Sequence, residues 1–252
     1  MSNLIFYPQS LDDFTVVCDK GDASGHPIEY LKDRLRATYW QSASASSDQM
    51  IEIDFGEATD VDHCLLYHDI QLTAGISLWS ASVADYSDEV QRSPSFASMN
   101  STYMLIPTVG GAVHKYRYWR LKISGLSIAP KIYLVFMGLS KEITTRYDKG
   151  YLDHRIYTGN NLVETYSGIR YARRIQPAGR RRLEYSWEML DLTNAAKLQA
   201  IIEDTQGAAL PFFLELEDDT FLYVRLMNNN ISNPEREFQL YDIETLYFEE
   251  EF

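Results

Sequence analysis

Apolar and polar residues alternate with a period of two over "MIEIDF" at 50–55, the spacing that puts every second side chain on one face of a strand. Apolar runs follow at 63–68, 76–82, 116–124 and 131–138, divided by Gly, Ser, Asp and Pro. Short strands separated by turn chemistry predict an antiparallel β-sandwich over residues 1–139. "PIEYLKD" at 27–33 predicts one short helix inside it, with Pro27 setting the first turn. Beyond residue 140 the texture changes. Strand-like pieces over 140–161 lead to a strand candidate at 182–192, and then "LTNAAKLQAIIEDTQG" at 192–207 switches to helical spacing. Leu198, Ile201 and Ile202 share one face, Thr193 is the expected cap and Gly207 the expected stop, which predicts a helix at about 194–206. Residues 209–227 read as a hairpin turning at Asp218-Asp219, and 237–251 as a final long strand. The expected architecture is mainly β: one sandwich over 1–139, and over 140–252 a second β-sandwich with a single flanking helix.

Composition narrows the function classes. A chain of 252 residues, 45% hydrophobic and 13% aromatic, can bury two cores and is not a disordered polymer. Its 18 tyrosines suit strands and interfaces, because a phenol ring packs on one side and hydrogen-bonds on the other. A net charge of −13 argues against general binding to nucleic acid or to a membrane surface. No apolar run reaches the length of a membrane span, and "MSNLIFYPQSLDDF" lacks the basic and long apolar regions of a signal peptide. Cys18 and Cys64 are too few for a disulfide framework, so reduced, packed thiols and folding in a cytoplasm are expected.

The charge is unevenly spread. Residues 146–182 hold nine Lys or Arg against three Asp or Glu, whereas 183–252 hold three against sixteen. The basic part centres on "RYARRIQPAGRRR", with Arg170, Arg173, Arg174, Arg180, Arg181 and Arg182. Three readings follow. The arginines join copies of the chain head to tail around a ring, as heterologous interfaces do. They fold against the chain's own acidic strands. Or they face DNA passing through a tube lumen.

Candidate chemistry is sparse. The histidines, His26, His63, His68, His114 and His154, form no H-x-x-x-H pattern, and no C-x-x-C occurs, so no metal site is expected. "YHD" at 67–69 sits at a strand end, where a site could be built. No G-x-S-x-G accompanies it, and it reads as the rim of a wall whose loop could touch sugar. His63 and His68 are five apart on one strand and should face opposite sides. Asp12-Asp13, Asp60 with Asp62 and Asp218-Asp219 fall at turns, with no calcium-loop spacing. "TVGGAVH" at 108–114 lacks phosphate-cradle spacing. The expectation is a protein without enzymatic activity or cofactor.

Two resemblances refine this. "YWQS", then "IEIDFGEATDVDHCLLYHD", "ISLWSAS" and "KYRYWRLKISG" resemble the discoidin, or coagulation-factor type C, domain over roughly residues 25–139. Trp40, Ile51, Ile53, Asp54, Gly56, Tyr118, Trp119, Arg120 and Leu121 carry the match. It implies a galactose-binding-like jelly roll, and in some members sugar or lipid contact through loops. Tyr39, Trp40, His68 and Trp79 are then the glycan-contact candidates. Trp40 and Trp119 are equally suited to plugging the ends of a sandwich, Gly56 to ending a strand, and Asp54 to accepting backbone hydrogen bonds in the turn after it. "LEYSWEMLDLTNAAKLQAIIEDTQGAALPFFLELED" resembles tail-tip proteins of long-tailed bacteriophages. That likeness implies a structural subunit that forms or decorates a ring at the distal end of a tail, with itself and other tail proteins as partners. It would be assembled in the host cytoplasm and carried in the virion. A carbohydrate-binding protein that holds a host-surface glycan is the alternative.

Overall fold

A computed structural model describes residues 4–8, 14–44, 48–70, 74–97, 103–145, 152–156, 160–164, 170–174, 180–216, 220–228 and 240–251. The chain runs through β1 (Leu4–Tyr7), β2 (Thr15–Cys18), β3 (Trp40–Gln41), β4 (Gln49–Val61), β5 (His63–Asp69), β6 (Gly75–Ala81), β7 (Val90–Gln91), β8 (Phe96–Ala97), β9 (Tyr103–Pro107), β10 (His114–Ser124) and β11 (Lys131–Gly138). It continues through β12 (Lys141–Ile143), β13 (Leu152–Ile156), β14 (Asn160–Glu164), β15 (Arg170–Arg174) and β16 (Arg180–Asp191). Helix α1 (Leu192–Asp204) and β17 (Phe212–Glu215), β18 (Phe221–Leu226) and β19 (Leu240–Glu250) complete it.

Two compact units result. One comprises residues 7–141 and the other residues 1–6 together with 142–251. The first is a sandwich of two sheets, ordered β2-β4-β10-β6-β7 (with β8 also on β6) and β3-β11-β5-β9. Strict alternation builds it: Gln49, Ile51, Ile53 and Phe55 on β4 are buried while Met50, Glu52 and Asp54 are half-buried. The inward residues meet Cys64, Leu66, Ile132 and Val135 of the opposite sheet in one apolar cluster. Trp40 and Trp119 are fully buried in that cluster, as expected of plugs. Both cysteines are free and buried. Burial pushes the Cys18 thiol up to about 11 and the Cys64 thiol higher still, so both pack as inert apolar groups.

Gly56 does not end its strand. β4 runs on to Val61, and Gly56 takes φ +77° where the register against β10 shifts. Asp54 does accept from the Gly56 amide (2.7 Å), and it also receives both guanidinium donors of Arg117 at 2.7 and 2.9 Å. The expected helix at 27–33 is a single 3-10 turn, Ile28–Leu31, after Pro27.

The second unit holds a seven-stranded sheet, ordered β12-β1-β17-β18-β19-β16-β13, and α1. Leu198 and Ile201 of α1 enter a core with Trp187, Phe212, Leu226 and Phe248. The helix is capped by Asp191, whose carboxylate accepts from the Asn194 amide at 2.9 Å, rather than by Thr193. At its far end Gln206 and Gly207 both adopt positive φ, and the Gly207 amide returns to the Ile202 carbonyl (2.7 Å). β17 and β18 pair as the expected hairpin, while its turn at 218–219 lies outside the described residues. Among the described residues β14 and β15 pair only with each other.

One assignment over 1–139 is corrected. Leu4 and Phe6 of β1 are buried in the second unit's core, against Phe212 and Phe248. β1 and β12 are neighbours in one sheet, so the sandwich is spliced into the second unit between two adjacent strands. Insertion at such a point leaves the host sheet continuous, since the two chain ends of the insert lie side by side.

Candidate functional site

The outward face of the four-stranded sheet presents a continuous aromatic ridge. Tyr67 on β5 and Tyr103 on β9 are cross-strand partners, with ring centroids 5.1 Å apart. Tyr133 joins them through a bulge. Ile132 and Leu134 of β11 oppose the consecutive His68 and Tyr67 of β5, so Tyr133 is the extra residue and leaves the pleat while its neighbours stay buried. Its ring lies 4.7 Å from Tyr67 and 5.5 Å from Tyr39. His26 stacks on the far side of Tyr39 at 4.1 Å. Each of these five residues is half-buried, and so presents ring surface to solvent. Burial first, then the nearby Asp69 carboxylate, raises the Tyr133 phenol above its ordinary value. It therefore stays protonated near neutral pH, able both to donate and to accept.

Cations flank the rings. The Arg36 guanidinium lies 4.9 Å from the Tyr67 centroid and 5.9 Å from that of Tyr103, and Lys131 Nζ lies 5.3 Å from Tyr39. Tyr133, at the centre, has no cation over it among the described residues. The arrangement offers a planar apolar contact with hydrogen-bonding groups and positive charge on either side.

The residues singled out from sequence do not converge. Only Tyr39 belongs to the ridge. Trp40 is fully buried and its indole donates to Asp22 at 2.9 Å, so no sugar can reach it: a side chain that plugs a core cannot also be a loop contact. His68 faces inward, 4% exposed, and its Nδ1 accepts from the Ile70 amide at 3.1 Å. Burial holds its pKa down to about 4, and the neutral ring closes the end of β5. "YHD" thus splits by strand alternation, with Tyr67 and Asp69 outward and His68 inside. His63 is buried too, with Tyr7 edge-on at 4.7 Å.

Trp79 lies on the outward face of the other sheet. Lys122 Nζ sits 3.8 Å over its ring and also holds Glu89. Beside it Arg120 bridges Glu52 (2.5 Å) and Glu89 (2.7 Å) and stacks on Tyr86 at 3.8 Å. Its charges are satisfied within the face.

For the basic segment, Arg170, Arg173 and Arg174 lie on β15, and their side chains are outside the described residues. Arg180 pairs with Glu249 of β19 at 3.0 Å. Arg182 meets Glu184 at 3.6 Å and stacks on Tyr247 at 4.6 Å, and the Arg181 amide donates to Glu250. This end of the arm folds against the chain's own acidic strand.

One further constellation mimics a catalytic one. Ser140 Oγ donates to Asp62 Oδ2 at 2.7 Å, and Asp62 Oδ1 lies 2.5 Å from His63 Nδ1. In a nucleophile triad the histidine takes the serine proton. Here the carboxylate sits between the two, so the serine is not activated. Burial works against the Asp62 anion, yet the His63 and Ser140 hydrogen bonds outweigh it and hold the carboxyl below its usual range. The group staples the β4–β5 turn to the segment after β11. Among the described residues no three His, Cys, Asp or Glu side chains are grouped to hold a metal, and no helix is long and apolar enough to cross a membrane.

No protein-family model matches the chain, and no curated protein matches it. Solved structures do. Chitosan-binding module 1 from a chitosanase/glucanase of Paenibacillus sp. IK-5 is 13% identical, with 52% of this chain and 98% of that one covered at a TM-score of 0.45. A pectin-binding carbohydrate-binding module is 14% identical, with 52% and 92% covered and a TM-score of 0.42. A GH29 fucosidase of Ruminococcus gnavus is 14% identical, with 51% and 25% covered and a TM-score of 0.44. The likeness is one of β-sandwich architecture.

Proposed function

We propose that this chain is a non-enzymatic carbohydrate-binding protein, in which the spliced jelly roll holds a glycan along the ridge His26–Tyr39–Tyr133–Tyr67–Tyr103. The observation that supports this is the bulge on β11. There the half-exposed ring of Tyr133 lies between those of Tyr39 and Tyr67, and sugar faces stack on such rings while fixed polar groups meet the hydroxyls. The Tyr133 phenol, Asp69, His26 and Arg36 supply those groups.

A broad glycan array followed by calorimetry tests the reading. Saturable binding, lost in Tyr133→Ala and weakened in Tyr67→Ala but kept in Trp79→Ala, is expected. Absence of binding to every glycan on the array would overturn it.

A second reading is favoured by the splice itself. A jelly roll inserted between adjacent strands of a separate body is how a scaffold displays a module, and the scaffold would then be the ring-forming subunit of a long-tailed phage tail tip. That reading rests on the sequence resemblance, and pairing of Arg180 and Arg182 within the chain removes part of its electrostatic basis. Light scattering that finds a stable monomer, together with virion proteomics that finds no copy, would end it.

A further inference from the structure

We propose that the ligand of the ridge is an anionic polysaccharide, one whose sugar rings carry carboxylate or sulfate groups. This rests on the carbohydrate reading above and adds the charge of the ligand to it.

Cations over aromatic rings are held differently on the two faces of the same sandwich. On the six-stranded sheet three of the cations over aromatic rings also have a carboxylate, and Arg92, over Tyr116, is held instead by the hydroxyls of Ser80 and Tyr116. Lys122 has Glu89, Arg120 has Glu52 and Glu89, and Arg117, 4.9 Å over Tyr118, has Asp54. On the ridge the pattern breaks. Lys131 lies over Tyr39 and makes no ion pair with any described residue, although Asp69 is its cross-strand partner in the register. Asp69 is exposed at the end of β5. The ammonium thus stays over the ring on one side of Tyr133, and Arg36 spreads over Tyr67 and Tyr103 on the other. A neutral sugar stacked on Tyr133 would need neither charge. A sugar bearing an anion would place it within reach of one cation or the other, and a polymer would meet both in turn.

The rest of the molecule makes that arrangement selective. With a net charge of −13, the chain repels polyanions at long range, so an anionic sugar would be held only where Lys131 and Arg36 stand beside the ridge. Charge-assisted hydrogen bonds from Lys131 and Arg36 to the anion would then add to the stacking on Tyr133.

The test is affinity electrophoresis of the full chain in gels containing alginate (carboxylated), dextran sulfate (sulfated) or plain dextran, alongside a neutral-glycan array. Retardation by alginate or dextran sulfate is expected, with little in plain dextran, and retardation should decline steeply between about 50 and about 300 mM NaCl. Retardation by only one of the polyanions supports the proposal and identifies the acidic group. Lys131→Gln and Arg36→Gln should each weaken binding about tenfold, the loss of one charge-assisted contact. Tyr133→Ala should abolish it, and Trp79→Ala should leave it unchanged. Thermal midpoints establish that each variant is folded. Salt-insensitive binding of neutral glycans that Lys131→Gln and Arg36→Gln leave intact overturns the anionic proposal while the carbohydrate reading stands. Polyanion binding untouched by Tyr133→Ala, Lys131→Gln and Arg36→Gln places the contact elsewhere and also overturns it. No binding in any gel or on the array removes both.

Discussion

On the outer face of the six-stranded sheet Lys122 lies 3.8 Å over Trp79 and holds Glu89; on the outer face of the four-stranded sheet Lys131 lies 5.3 Å over Tyr39 and holds no carboxylate of the described residues. The same pair of residue types serves two ends. Where the positive charge is answered inside the protein, the cluster is a strut across the face. Where it is not, ring and charge remain available to something outside. Aromatic content alone does not distinguish the two faces. The partner of the cation does.

Four measurements test that contrast. The largest effect is expected from acid. The pKa of His68, beneath the ridge, is depressed by burial to about 4, against an ordinary 6.5. Its folded pKa lies below its unfolded one, so the stability it contributes is complete above pH 6.5 and is lost as pH falls toward 4. The decline amounts to about 3 kcal/mol, read by urea denaturation at stepped pH, and His68→Gln should flatten it. An unchanged slope in that variant would show that the ridge sheet is not the acid-sensitive one. Next, Arg120→Ala strands Glu52, leaves Glu89 to Lys122 alone and should cost about 2 kcal/mol in denaturant, the mark of a strut. Tyr133→Ala should cost about 1 kcal/mol of stability, since its ring is half-exposed, while removing glycan binding. The smallest effect is Lys131→Gln, expected to stay within about 0.5 kcal/mol. If it destabilised the fold as much as Arg120→Ala, the two faces would be alike.

Much of this fold could be read along the chain, because alternation reports directly on burial. β4, β5, β6, β10, β11 and the helix followed from spacing alone. The cap moved from Thr193 to Asp191 because a carboxylate two residues earlier reaches the Asn194 amide, and spacing does not rank two capping residues so close together. β1 was illegible for a different reason. "LIFY" carries no sign of which sheet it will join, and its neighbours β12 and β17 lie far along the sequence.

The ridge was half legible. Tyr39 stood out beside a conspicuous tryptophan, and Tyr67 within "YHD". Tyr103 and Tyr133 sit on other strands, and only register brings them together. Tyr133 faces outward as the alternation Ile132-Tyr133-Leu134 suggests, but the bulge beside it, which sets its place relative to Tyr67, has no signature of its own. Trp40 and Trp79 attracted attention by size. Size favours the core and stacked struts at least as much as a ligand platform, which is where both were found.

The splice between β1 and β12 also sets a schedule. During synthesis the jelly roll is complete once residue 141 has emerged, and nothing further along the chain is needed to close it. The strand at residues 4–7 must wait for Phe212–Glu215 before its own sheet can form around it. The sandwich can therefore close while the strands of its host body are still being made, and the host sheet waits on a pairing between segments some two hundred residues apart in sequence.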